Sequence, residues 1–253
     1  MQALAGRARR GFCEVEVWTT PCIVSSPPPR ADALVVSANE RLCGTQFAYF
    51  NVGGPTPLGA NFGAAALGFL KTMRVEERAL YPCESVDGLV TEYGGTELAR
   101  ILEAIPSISD DLEYPVRCPT GGARRTPAGP LATLFPAGLV HAVPPFWGND
   151  WDRLVASAYR NAFAAAFADA PASVLAVPLL GAGARGAPLP DAARAAARAA
   201  GAWLASAADG PRSRTVAFSV LSDRAAEMLA SAIINNNDDD NGAAEKYGKY
   251  HAR

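Results

Sequence analysis

No apolar run in the chain approaches the roughly 20 residues needed to span a bilayer, so no membrane-spanning helix is expected. Charge is also in short supply: Lys and Arg number 23 against 25 Asp and Glu, a formal net charge of -2. That balance gives no overall electrostatic reason to bind nucleic acid or an anionic membrane, although local basic patches stay open. The five cysteines, Cys13, Cys22, Cys43, Cys83 and Cys118, are odd in number and include no C-x-x-C pair. Neither a disulfide framework nor a zinc site is indicated, and reduced, buried thiols are expected. No other metal-ligand spacing and no internal repeat is present, so no metal and no cofactor is expected.

What is there suffices for a substantial core, with 49% apolar and 19% charged residues over 253 positions. Met1 to Arg10 carries three arginines and no acid, and the first strand pattern begins by Phe12. That leaves little room for a signal or transit peptide, so the expected location is intracellular, cytoplasmic or nuclear, with organelle import left open.

Phe12 to Trp18 alternates apolar and acidic residues and predicts a half-buried strand with Cys13, Val15 and Val17 inward. Asp32 to Val36 is apolar without alternation, as in a strand covered on both faces. From Gly44 to about Glu84 the pattern dissolves into Gly, Pro and aromatics, which reads as an insertion over about 45–84, with a short helix around Ala64 to Arg74. Regular structure resumes at Val86, and Thr96 to Ala104 ends a helix before Pro106. A strand is expected at Gly138 to Val143, and a helix, capped by Asn149 or Asp150, to about Asp169. Strands at Ser173 to Val177 and Thr215 to Leu221 are each followed by a helix, Asp191 to Ala208 and Arg224 to Ile234. Ser222 or Asp223 caps the second. The Asn/Asp run after Ile234 cannot bury a core, so 235–253 is expected to be a disordered tail.

Strands alternating with helices specify an α/β fold, a three-layer α/β/α sandwich with a mixed central sheet. No linker divides two patterned halves, so 12–234 reads as a single domain.

Two stretches invite a ligand. Leu175 to Val177 runs into Leu180-Gly181-Ala182-Gly183-Ala184-Arg185-Gly186. Its three glycines let backbone N–H groups approach a guest closely and line up as an anion nest. A diphosphate is the natural guest, and a plain strand-to-helix turn is the alternative. A Rossmann site is disfavoured, because its glycine fingerprint belongs in the first βα turn. The Asp32 strand ends in Ser37-Ala38-Asn39, and ligands in open α/β sheets sit outside such carboxyl ends.

In this order the motifs resemble the macro domain family, the ADP-ribose-binding α/β module. Asp32-Ala33-Leu34-Val35-Val36-Ser37-Ala38-Asn39 is similar to its D-A-I-V-N-A-A-N, and Cys118 to Pro127 to its C-P-x-G-E-A-x-x-T-P. Leu139 to Pro144 is close to V-I-H-T-V-G-P. Tyr159-Arg160-Asn161 matches the helix motif Y-x-N, and Ala176 to Pro188 stands where the family has A-F-P-A-I-S-T-G-V-Y-G-Y-P. Ser85-Val86-Asp87-Gly88 looks like the family's G-V-D-G, which places the insertion inside the catalytic loop and Asp87 at the acidic position of hydrolase members.

The resemblance implies that Asn39 positions a distal ribose and Asp87 manages a water. Ala38, Gly44, Val86, Gly88 and the loop Leu180, Gly181, Ala182, Gly183, Ala184, Arg185 and Gly186 would surround the ligand. Cys22 and Ile23 lie on the adenine side. Cys22 stands where the family has its adenine-reading acid, Val36 replaces the first Asn of N-A-A-N, and Arg185 replaces an aromatic. Arg185 can stack, pair with phosphate or point to solvent. His141 reads as a satisfied core histidine rather than a general base, and Phe146 and Trp147 as core or as the adenine slot. The implied activity is hydrolysis of ADP-ribose attached to protein carboxylates, or of O-acyl-ADP-ribose. The alternatives are a non-catalytic ADP-ribose or nucleotide reader, or a degenerate scaffold for protein contacts. The implied partner is ADP-ribose or an ADP-ribosylated protein.

Overall fold

Two strands fold back on each other at the start of the chain: β1 (Ala3–Arg10) pairs antiparallel with β2 (Cys13–Thr19). The computed structural model describes residues 2–44, 49–50, 79–80, 85–109, 115–168, 172–207 and 212–248, with backbone alone at 49–50, 79–80 and 236–248. β1 is an addition to the sequence reading, which starts regular structure at Phe12. Its residues carry little apolar signal, and charge sets the pairing: Arg7 lies opposite Glu16 and Arg9 opposite Glu14. Arg7 reaches the carboxylates of Glu14 and Glu16, both at 2.8 Å. Cys13, Val15 and Val17 point inward as expected, but Glu16 is also 0% exposed, so β2 is covered on both faces. The Glu16 carboxylate survives burial through Arg7, through Arg30 at 3.6 Å and through the Trp18 indole N–H at 2.8 Å.

Five further strands complete a mixed seven-stranded sheet: β3 (Ala33–Ser37), β6 (Ala123–Thr126), β7 (Gly138–Ala142), β8 (Val174–Val177) and β9 (Arg214–Val220). The order is β1-β2-β9-β8-β3-β7-β6. The inner five strands are parallel to one another, and β1 and β6 close the edges antiparallel. Asp32 ties β3 to β8 by accepting the amides of Ser173 (2.8 Å) and Val174 (3.1 Å). β6 follows the Gly121-Gly122 turn, where the sequence reading has no strand, because four residues with two exposed arginines leave no periodic signature. A separate pair, β4 (Tyr49–Phe50) and β5 (Ala79–Leu80), lies within the stretch read as an insertion. The helix expected around Ala64 to Arg74 lies outside the described residues.

Alternate residues of each strand feed opposite layers. Val35, Val140, Leu175 and Phe218 pack against α2 (Trp151–Phe167), α3 (Leu189–Ala207) and α4 (Asp223–Gly248). Leu34, Val36 and Leu139 pack against α1 (Val86–Glu103) and a 3-10 turn at Gly129–Thr133. α1 is interrupted at Gly95 (φ 52°, ψ -150°). Asp150 stands at the N-cap of α2 but makes no side-chain cap bond. Ser222 caps α4 by accepting the Ala225 amide at 3.3 Å. α4 runs on to Gly248, where disorder is expected from 235; no proline interrupts the ladder, and each Asn or Asp costs only tenths of a kcal/mol once the helix is nucleated on its buried face. Among the described residues, no helix is long and apolar enough to cross a membrane.

Candidate ligand-binding crevice

Because the inner strands are parallel, their carboxyl ends lie along one side of the sheet, and a cavity of about 820 Å³ opens there. It crosses the ends of β2, β9, β8 and β3, three strand spacings or about 14 Å. Pro21, Cys22 and Ile23 follow β2, Ser219 to Ser222 end β9, the loop Pro178 to Arg185 follows β8, and Ser37, Ala38 and Asn39 end β3. Ser85, Val86, Asp87 and Leu89, at the start of α1, close the β3 end.

The β8 loop is held from below. The Leu180 amide donates to the Tyr159 hydroxyl (2.8 Å), and burial pushes the Tyr159 hydroxyl pKa up, so it stays protonated. Gly181 takes φ 84°, and a side chain there would press on the buried Trp151 indole, whose Nε1 would lie 3.2 Å from the added Cβ. Bonds from Gly186 N to Gly183 O and from Ala187 N to Gly181 O, both 2.9 Å, close the turn. Among the described residues, the amides of Gly181, Gly183, Ala184 and Arg185 meet no acceptor, and all four residues line the cavity. Asn161 fixes the Gly121 turn through Nδ2 to the Gly121 carbonyl (2.8 Å). The Y-x-N motif thus orders two loops.

The loop after β3 is held from within. Asn39 Oδ1 accepts the Arg41 amide (3.1 Å), and Asn39 Nδ2 donates to the Gly44 carbonyl (2.9 Å). Gly44 (φ 75°) presses against Thr91 of α1, and the Thr91 hydroxyl donates to the Asp87 carbonyl (2.7 Å). The Asn39 loop is therefore packed on the first turn of α1, where Ser85 accepts the Gly88 amide (3.0 Å) and Asp87 is 7% exposed. Burial pushes the Cys43 thiol up; Arg41 opposes the shift, and the Asp87 carboxylate adds to it.

Of the residues expected at the ligand, Ala38, Asn39, Val86, Asp87, Gly181, Ala182, Gly183, Ala184, Arg185, Cys22 and Ile23 line one cavity. Gly44, Gly88, Leu180 and Gly186 do not: they serve helix contact, helix capping, the Tyr159 bond and turn closure. Arg185 neither points to solvent nor has its charge unpaired. It is buried, stacks over Phe146 (4.3 Å to the ring centre) and donates to the Ala38 carbonyl and the Glu40 carboxylate, both at 3.3 Å. Glu40, absent from the sequence reading, also accepts the Thr120 hydroxyl (2.7 Å). Burial alone would raise its carboxyl, but Arg185 and Thr120 outweigh it and hold it below the usual range.

His141 donates to or accepts from Thr126 across β6 and β7 (3.0 Å), and burial lowers it to about 4, so it is a neutral core residue. Phe146 is half-buried and Trp147 exposed against Trp151, so neither is core, and neither lines the cavity. Burial raises the thiols of Cys13 and, to about 11, Cys118. Burial would do the same to Cys22, but the Ser25 hydroxyl and the amides of Ser25, Val24 and Ser26 outweigh it and lower that thiol. Cys83 lies outside the described residues. Among those described, no group of three His, Cys, Asp or Glu is placed to hold a metal ion.

This architecture matches known proteins. A macrodomain of Oceanobacillus iheyensis with MES bound superposes with a TM-score of 0.63 at 18% identity, over 94% of this chain and 100% of that one. The same macrodomain with ADP gives 0.62 at 17% identity, over 94% and 99%. A Trypanosoma brucei macrodomain in complex with ADP-ribose gives 0.54 at 16% identity, over 87% of this chain and 68% of that one. In sequence, a macro domain-containing protein of Caldanaerobacter subterraneus subsp. tengcongensis is 35% identical over 150 residues, 58% of this chain and 78% of that protein. The macro domain family model matches residues 77–196. With the Asn39 strand end, the Asp87 turn and the Gly181 loop gathered at one crevice, the chain belongs to the macro domain family.

Proposed function

We propose that the crevice binds ADP-ribose and that the protein hydrolyses ADP-ribose attached to protein carboxylates, or O-acyl-ADP-ribose. The observation that carries this reading is the continuity of one cavity past the open amides of Gly181, Gly183, Ala184 and Arg185 to Asn39 and Asp87. Four amides with no acceptor suit a diphosphate, since each donor gains a partner it otherwise lacks. A guest with its diphosphate on the β8 loop reaches one way to the β3 end and the other way to the ends of β9 and β2. Its distal ribose then meets Asn39, whose Nδ2 carries a second N–H besides the one given to Gly44.

Hydrolysis at that ribose adds water across the ester, releasing the free carboxylate and ADP-ribose. In this scheme Asp87 orients or deprotonates the water, directly or through the substrate, help typically worth about 10²- to 10⁴-fold. We take the domain read over 12–234, with β1 added at its start, as one unit and 45–84 as an insertion in its catalytic loop.

Release of ADP-ribose from an automodified acceptor protein tests the enzyme reading. Asp87→Ala is expected to slow release by about 10²-fold or more while ADP-ribose binding persists; an unchanged rate overturns the assignment. A reader without turnover is the second reading, favoured by the engagement of both ends of the Asn39 amide in its own loop. Either one requires binding, which at 100 times Kd adds about 2.7 kcal/mol to stability. No thermal shift would leave the scaffold reading.

A further inference from the structure

The β2 and β9 end of the crevice differs in chemistry from the rest. Pro21, Ile23 and the largely exposed Leu221 (75%) give it apolar walls. Its two hydroxyls already serve the fold: Ser219 pairs with the buried Thr20 hydroxyl (2.5 Å), and Ser222 accepts the Ala225 amide (3.3 Å). The Cys22 sulfur accepts the Ser25 amide (3.4 Å). The neighbouring carboxylate, Asp223, accepts the Thr19 hydroxyl (2.9 Å) and does not line the cavity. Among the described residues, the side chains that line this end thus offer apolar surface and no carboxylate.

We propose that the site recognises the ribose-diphosphate-ribose part of its ligand and is permissive for the purine, accepting hypoxanthine about as well as adenine. This rests on the ADP-ribose reading above. The two bases have nearly the same shape and differ at one edge: adenine presents a donating amino group and an accepting ring nitrogen, hypoxanthine an accepting oxygen and a donating N–H. A site with a dedicated acceptor for the amino group rejects the wrong edge by orders of magnitude, because its buried polar group is left unpaired. An apolar slot separates near-isosteres only weakly. Here no side chain lining the slot is a carboxylate or amide that could serve as such an acceptor.

Calorimetric titration of the full chain with ADP-ribose and with inosine diphosphate ribose decides the matter. The expected result is two Kd values within about fivefold of each other. A larger preference for ADP-ribose overturns the proposal and leaves the ADP-ribose reading standing, whereas failure of both nucleotides to bind ends both. Cys22→Asp places a carboxylate at the base edge and is expected to shift the ratio toward ADP-ribose by about tenfold or more. A folded Cys22→Asp variant with the wild-type ratio would mean that no base lies beside Cys22, and would also overturn the proposal.

Discussion

The loops after β3 and β8 lie side by side at the carboxyl ends of paired strands, both line the crevice, and they treat their backbone in opposite ways. In the first, the Asn39 side chain accepts the Arg41 amide and donates to the Gly44 carbonyl, so each end of its amide holds the loop itself. In the second, Tyr159 holds the Leu180 amide from outside, two bonds close the turn, and four successive or near-successive amides stay open. One loop is a fixed strut that sets Asn39 in the cavity wall. The other presents main-chain amides to the cavity, on a turn closed by its own bonds and backed by Tyr159 and Trp151. Arg185 and Glu40 couple them: the guanidinium on the β8 loop bonds the Ala38 carbonyl and the Glu40 carboxylate on the strut.

Mutations can break this contrast. Gly181→Val should have the largest effect, since a β-branched residue at φ 84° would also press on Trp151. A loss of about 3 kcal/mol by denaturant unfolding is expected, together with loss of ADP-ribose binding. Tyr159→Phe should come next. It strands the buried Leu180 amide and is expected to cost about 2 kcal/mol, with a parallel drop in ADP-ribose affinity if the β8 loop depends on outside support. A weakened fold with unchanged affinity would show the loop to be self-supporting. Gly183→Ala sharpens the comparison from the other side, because nothing lies within 4 Å of the added carbon and no positive φ is required. Stability should stay within about 0.5 kcal/mol of wild type. Affinity should fall about tenfold, as the methyl stands between the amides and the diphosphate.

The parts legible in the sequence are those whose cause is local. β3 and β8 are unbroken apolar runs, and the Gly181 loop declares itself through glycine spacing, so their meeting at one crevice could be anticipated from the strand-end rule. β1 and β6 are edge strands whose pairing partners, acids of β2 and the β7 backbone, supply the order that their own residues do not signal. The Glu40 network was out of reach for another reason: Thr120 and Arg185 lie 80 and 145 residues away, and no spacing connects them. Motif membership also does not separate the residues that line the cavity from those that frame it. Leu180 and Gly186 stand in that loop, but they do not line the cavity and their amides bond to Tyr159 and Gly183, a distinction that only the fold makes.

The hairpin at the start of the chain has a consequence for anyone trimming the protein to the segment that its motifs outline. A version beginning at Phe12 would keep every crevice residue yet leave the hydrogen-bonding rim of β2 bare along seven residues. An uncovered rim of that length is a template for a neighbouring molecule's chain. The same cut would strip Arg7 from Glu16, leaving that carboxylate only Arg30 and the Trp18 indole as partners. Self-association and poor recovery of such a truncation would report on the missing first eleven residues and not on the crevice.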